Sequence, residues 1–149
     1  MKRIINEMKL RLQAKSVNEG VSRAVISAFC AELNPTVEEI GDIRCAVSEA
    51  VTNCIVHAYK DKSERENCYI YISVRLYENR EITVEISDRG CGIADLKEAM
   101  SPSFTTDREG ERSGMGFTVM ESFMDELSVV SASEEGTRVV LTKKLGGKK

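Results

Sequence analysis

A chain of 149 residues, 42% of them hydrophobic, has the size of one domain and enough apolar material to form a core without staples. Its 21 Lys and Arg stand against 24 Asp and Glu, a net charge of −3, so no global basic field draws it to nucleic acid; a protein or nucleotide partner suits the surface better. No apolar run approaches bilayer-spanning length, and the opening Met-Lys-Arg-Ile-Ile turns polar too soon for a signal peptide, so the expected location is the cytoplasm.

From Met8 to Ala14 apolar and polar side chains alternate, which predicts a half-buried strand. Residues 18–33 place Val21, Val25, Ile26, Phe29 and Leu33 at helical spacing, with Asn18 as the expected N-cap. Asn34-Pro35 breaks that helix. Thr36-Val37-Glu38-Glu39 then has the Thr-x-x-Glu form of a capping box and predicts a second, longer helix ending near Tyr59. Ile40, Ile43, Val47, Val51, Cys54 and Ile55 give this helix a broad apolar face. Glu49, Asn53 and His57, four residues apart, form a polar row along another side, which by itself is an ordinary solvated stripe.

Residues 60–67 are charged and aperiodic and read as a solvated loop. Residues 68–77 and 81–87 are aromatic and β-branched with alternation, joined by Glu78-Asn79-Arg80, so an antiparallel hairpin is expected. The stretch from Asp88 to Gly114 is too long for an ordinary connection in a compact domain. Gly116 to Phe123 returns to a helical pattern, Glu126 to Ser131 and Thr137 to Leu141 read as two strands around Glu134-Glu135-Gly136, and the closing Gly-Gly-Lys-Lys reads as a frayed tail. The order β, α, α, β, β, long loop, α, β, β has no repeat and no dividing linker. It predicts one α+β domain over residues 1–149, a two-layer sandwich of a mixed, mainly antiparallel sheet with helices on one face.

The five cysteines, at 30, 45, 54, 68 and 91, form no Cys-x-x-Cys pair, and with one histidine in the chain a zinc cluster is not expected. They read as reduced core thiols, Cys91 excepted, which sits in a glycine turn without a neighbouring base. In Asp88-Arg89-Gly90-Cys91-Gly92 a carboxylate leaves a strand into a turn where glycines admit close approach of the backbone to a ligand. Arg112-Ser113-Gly114-Met115-Gly116-Phe117 leads straight into a helix, whose first amides and dipole make an anion site. Each of these patterns alone also has a plain reading as a turn, and so does Gly136-Thr137 at the start of the last strand.

Taken together and in this order, the motifs resemble the Bergerat-type nucleotide-binding fold shared by gyrase-type ATPases, heat-shock chaperones, sensor histidine kinases and MutL-type mismatch-repair proteins. Its Glu-x-x-x-Asn motif is matched by Glu49 and Asn53, its Asp-x-Gly-x-Gly by Asp88, Gly90 and Gly92, and its Gly-x-Gly by Gly114 and Gly116. More narrowly, Ser-Glu-Ala-Val-Thr-Asn at 48–53, Phe-Thr-Thr at 104–106 and the run at 111–126 resemble the sporulation anti-sigma F family over nearly the whole chain. A sensor histidine kinase fits less well, because 149 residues leave no room for a dimerisation and phospho-acceptor domain. His57 is expected to close the helix and not to accept phosphate.

The resemblance implies ATP or ADP with Mg²⁺ as ligands and a serine protein kinase as the activity. Asp88, helped by Thr137, would receive the exocyclic amine of adenine; Asn53 would coordinate Mg²⁺. Gly90, Gly92, Thr105 and Thr106 would line the nucleotide. Ser113, Gly114, Met115 and Gly116 would cradle its phosphates, and Arg112 would neutralise charge on the γ-phosphoryl group. Glu49 would be the general base for the partner's serine hydroxyl, and residues 93–113 a lid over ATP. Arg23 on the first helix would contact both implied protein partners, an RNA polymerase sigma factor of the sigma F type and an anti-anti-sigma protein that is the phosphorylation substrate. A homodimer is implied as well. A general-stress anti-sigma kinase, and a nucleotide-gated sigma-binding module without significant phosphoryl transfer, are the alternatives.

Overall fold

The computed structural model describes residues 2–59, 68–90, 116–132 and 135–146. Alternation organises its sheet. In β2 (Tyr69–Tyr77) Ile70, Ile72, Val74 and Leu76 are buried while their neighbours are half exposed, and Ile82, Val84 and Ile86 repeat the pattern in β3 (Glu81–Ser87). With β1 (Ile4–Gln13), β4 (Glu126–Ala132) and β5 (Gly136–Lys144) they form a five-stranded sheet of order β1-β2-β3-β5-β4, in which every described pairing is antiparallel. The register places Met8, Val74, Val84, Leu141 and Leu127 in one row across all five strands. A slip of one residue in any strand would turn its member of that row toward the opposite face.

Among the described residues three α-helices cover this apolar side: α1 (Val17–Cys30), α2 (Val37–Asn53) and α3 (Gly116–Phe123), with α2 packed against both others. Ile43, Ala46, Val47, Ala50 and Val51 of α2 are buried, and Ile40 and Ile55 pack half-buried at the margin. Each fully buried Ile or Val contributes roughly 1.5–3 kcal/mol. The Lys143–Asp42 ion pair at 3.0 Å, partly exposed, belongs to a class worth about 1 kcal/mol or less, so apolar burial and not charge holds α2 on the sheet. The two-layer α+β architecture is therefore as expected.

Local chemistry sets the helix ends. The capping box at α2 is complete: Glu39 N donates to Thr36 Oγ1 at 3.0 Å, and Thr36 N to Glu39 Oε1 at 2.9 Å. The other oxygen of this buried carboxylate accepts from Gly146 N at 2.7 Å and ties the end of the described chain to the start of α2. Asn18 is not the cap of α1: the helix starts at Val17 after Ser16, and the Asn18 side chain donates to Gln13 O at 2.7 Å, bracing the strand that precedes it. A 3₁₀ turn, Ala31–Leu33, finishes α1, with Asn34 in the left-handed region at φ 52° that asparagine tolerates.

Cys30, Cys54 and Cys68 are buried thiols, but Cys45 is exposed, because its place on α2 faces away from the buried Ile43 and Ala46. Cys91, the loop at 60–67 and the stretch at 93–113 lie outside the described residues. Among the described residues no helix is long and apolar enough to cross a membrane.

Candidate nucleotide-binding site

The end of α2 departs from the regular helix expected as far as Tyr59. After Asn53 the chain widens into a π turn, Cys54–Ala58, a rare geometry that needs surrounding contacts to persist. Glu49 and Asn53 keep their four-residue spacing on α2, whereas His57 falls in the wide turn, out of step with them, as the basic residue of the helix end. The contacts that hold the turn come from the residues following β3. Gly90 lies flat against it: a Cβ there would run into the Ala58 carbonyl oxygen and come within 2.7 Å of the Ala58 side chain. The Tyr59 hydroxyl donates to Tyr69 O and accepts from Arg89 N, both at 2.8 Å.

This packing fixes Asp88, which is only 7% exposed. Its amide donates to Thr137 O at 2.9 Å, extending the β3–β5 pairing by one bond. Its Oδ1 accepts from Gly90 N at 2.9 Å and from Thr137 N at 3.2 Å, while Oδ2 faces the thiol of Cys54 at 3.5 Å. Burial drives the Asp88 carboxyl above the ordinary carboxylate range against those three donors, and drives the Cys54 thiol well up, so the thiol keeps its proton and acts as donor. A carboxyl whose folded pKa exceeds its unfolded one binds more protons in the folded state, so stability falls as pH rises from about 4 through the folded value. At neutral pH the ionised Asp88 is a standing destabilisation, which points to a role other than holding the fold together.

Thr137 closes the site from β5. Its hydroxyl lies 2.8 Å from Ser131 Oγ on β4. The residue before it, Gly136, has φ +98°, and a Cβ there would strike the Asp88 carbonyl oxygen and approach Arg89 Cα to 2.9 Å. Only glycine lets β5 begin this close to the Asp88 turn.

The third approach is made by α3. A Cβ built on Gly116 would meet Glu49 Oε1 at 3.3 Å and Asn53 Nδ2 and Oδ1 at 3.5 and 3.6 Å. The first and third motifs, more than sixty residues apart in sequence, thus touch through the start of a helix, whose positive end favours anionic groups. Glu49, Asn53, Asp88, Gly90, Gly116 and Thr137 all belong to this frame, with Gly136 beside Thr137 as the sequence pattern has it, joined by Cys54, Tyr59 and Ser131, which sequence reasoning did not assign to it. Gly92, Thr105, Thr106, Arg112, Ser113, Gly114 and Met115 lie outside the described residues. Arg23 stands apart on α1, where its guanidinium donates to Glu19 at 2.7 and 3.2 Å.

The residues present fit a nucleotide with a phosphate-bridging cation. Asp88 Oδ2 has a weak thiol donor and accepting capacity left for an amine. Asn53 brings a hard amide oxygen to the start of α3, suited to a Mg²⁺ that takes its other ligands from phosphate and water, and Glu49 stands beside it as a carboxylate able to accept a proton. Among the described residues no group of three His, Cys, Asp or Glu side chains could hold a metal on its own.

The family model of the histidine kinase-like ATPase domain matches residues 12–143. The anti-sigma F factor of Caldanaerobacter subterraneus is 52% identical over 141 residues, 95% of this chain and 95% of that protein. That of a Thermoanaerobacter species is 51% identical over 144 residues, 97% of each. Among solved structures, the RsbU and RsbW domains of a Mycobacterium tuberculosis protein superpose with a TM-score of 0.69 at 21% identity, over 94% of this chain and 32% of that one, a likeness of fold.

Proposed function

This chain belongs to the anti-sigma F factors of the histidine kinase-like ATPase family, and on that premise we propose that it sequesters a sporulation sigma factor and phosphorylates a serine of an anti-anti-sigma protein with Mg-ATP. The coarser part follows from membership: a sigma-factor antagonist on an ATP- or ADP-binding fold. The finer part is supported by one observation, the approach of Glu49 and Asn53 to Gly116 at the start of α3. A module that only bound nucleotide would have no need of a carboxylate beside the end of the helix that faces the phosphates.

Within this reading each residue has a task. Asp88, held by the Gly90 and Thr137 amides, presents Oδ2 to the exocyclic amine of adenine. The start of α3 receives phosphate oxygens, with Ser113, Gly114 and Met115 completing the cradle and Arg112 countering charge on the group in transfer. Gly92, Thr105 and Thr106 line the nucleotide beneath a lid formed by 93–113. Asn53 holds Mg²⁺ through its side-chain oxygen; when bound, the cation neutralises phosphate charge. Glu49 takes the proton from the attacking serine hydroxyl. Residues 1–149 act as one domain, as a homodimer in the cytoplasm.

The direct test mixes the protein, Mg-ATP and the anti-anti-sigma protein and looks for phosphoserine. ATP binding without transfer would defeat the kinase reading and leave a nucleotide-gated binding module.

For adenine recognition, Asp88→Asn should leave the nucleotide-free protein at least as stable at pH 7, because Asn keeps the oxygen that takes both amides and carries no buried charge. The same variant should lose the stabilisation by ATP, about 2.7 kcal/mol at a ligand concentration 100-fold above Kd. Thermal melts with and without Mg-ATP read both; an undiminished ATP shift would remove Asp88 from base recognition.

Arg23→Ala is expected to weaken capture of the sigma factor with a stability change of about 1 kcal/mol or less, since the Arg23–Glu19 pair is partly exposed. A pull-down with the sigma factor beside a urea melt checks the two effects separately.

A further inference from the structure

Tyr59 belongs to the frame of the site, yet its hydroxyl does something a core aromatic has no need to do. The ring is 3% exposed, and a phenylalanine would fill the same space. The hydroxyl gives its proton to Tyr69 O and takes the amide proton of Arg89, and these two groups belong to the start of β2 and to the turn after β3. Arg89 is the middle residue of Asp88-Arg89-Gly90. Its neighbours are already fixed: Asp88 Oδ1 by the Gly90 and Thr137 amides, and Gly90 by its approach to Ala58. On the other side the Arg89 guanidinium lies over the Tyr71 ring, 4.7 Å from its centroid. The backbone amide of Arg89 is thus the point at which the rotation of the turn, and with it the direction of Asp88 Oδ2, is set from the helix side.

We propose that Tyr59 is a positioning residue for base selection: by holding the Arg89 amide, its hydroxyl aims Asp88 Oδ2 so that a purine bearing an exocyclic amine is preferred to one bearing a carbonyl at the same place. The proposal rests on the reading of Asp88 as the adenine-recognising group. Without the hydroxyl, the part-buried Arg89 amide loses the partner that ties the turn to the end of α2, and the turn is free to rotate until the amide meets water or another acceptor. Such a shift leaves the phosphate-facing side, built from α2 and α3, in place. The loss should therefore fall on the base and spare the triphosphate. Burial raises the Tyr59 hydroxyl above its ordinary pKa, so it remains a donor to Tyr69 O throughout the working pH range.

The test compares Mg-ATP with Mg-ITP, which carries a carbonyl where adenine carries its amine, by calorimetric titration of the full chain. Tyr59→Phe is expected to weaken ATP binding roughly fivefold, the effect of one hydrogen bond to an amide, with ITP binding nearly unchanged, so that the ATP-to-ITP preference contracts by the same factor. An unchanged preference, even with both affinities or the melting temperature lowered together, would overturn the proposal and leave Tyr59 a structural residue. A wild-type protein that binds ATP and ITP equally would instead overturn the Asp88 reading and the proposal with it. Amide exchange in the wild-type protein supplies a reading that does not depend on the variant folding: the Arg89 amide should be protected, and exchange at the rate of an open loop would equally sink the idea.

Discussion

Glu49→Gln is expected to slow phosphoryl transfer to the partner serine by on the order of 10² to 10⁴ while ATP affinity is retained. The substitution keeps the length and shape of the side chain, and glutamine is as good a helix former as glutamate, so α2 and the approach of its side chain to the start of α3 should survive. What is lost is the capacity to accept a proton. On the proposed function Asp88, Asn53 and the start of α3 hold the nucleotide, so binding and chemistry should separate in this variant. Single-turnover transfer with the anti-anti-sigma protein, beside an ATP titration of the same preparation, reads both. Transfer at the wild-type rate would take the general-base role away from Glu49.

The second large effect is one of stability. Gly136→Ala should destabilise the protein by about 2–4 kcal/mol, combining the cost of a left-handed backbone for a residue with a Cβ and that of forcing an atom into a filled space. Both causes are present at once: φ is +98°, and the added carbon would collide with the Asp88 carbonyl and press on Arg89 Cα at 2.9 Å. Relief requires β5 to draw back from the end of β3, which breaks the bonds between Thr137 and Asp88, so ATP binding should fall with stability. Gly41→Ala is the natural control. Nothing lies within 4 Å of a Cβ there, and in the interior of α2 alanine is preferred to glycine by roughly 1 kcal/mol, so this variant should be more stable than the parent. Urea unfolding of the two variants beside the wild type decides it; a Gly136→Ala protein as stable as the parent would show that the turn yields easily.

The contrast between these two glycines shows where the sequence was legible. Alternation in β2 and β3, the capping box at Thr36 and the apolar face of α2 are local patterns, and each produced the element it predicted. The motif residues Glu49, Asn53, Asp88 and Gly116 could be named from spacing and family resemblance. Their supports could not, because Cys54 with Asp88, Tyr59 with Arg89 and Gly136 with Asp88 meet only after the sheet has formed, and nothing in the local pattern of either partner marks the meeting. The same limit explains the smaller departures. Asn18 has the chemistry of a cap, but the helix already begins at Val17 and the Asn18 side-chain amide donates to Gln13 O instead, and Cys45 sits among apolar neighbours yet points to solvent. The π turn was illegible for a related reason: its five residues, Cys-Ile-Val-His-Ala, have no composition that distinguishes them from ordinary helix.

That wide turn acts as a correction of phase. A regular helix advances each side chain by about 100°, so residues serving one neighbour at Glu49 and Asn53 would dictate the direction of everything after them. The chain here must serve two neighbours in succession, α3 with Glu49 and Asn53, and then the β2 and β3 ends with Ala58 and Tyr59. Widening the last turn decouples the two directions. Shortening it by one residue would restore an ideal helix and swing Tyr59 by about 100° away from Tyr69 and Arg89, a gain in regularity at the expense of alignment between the phosphate and base halves of the site.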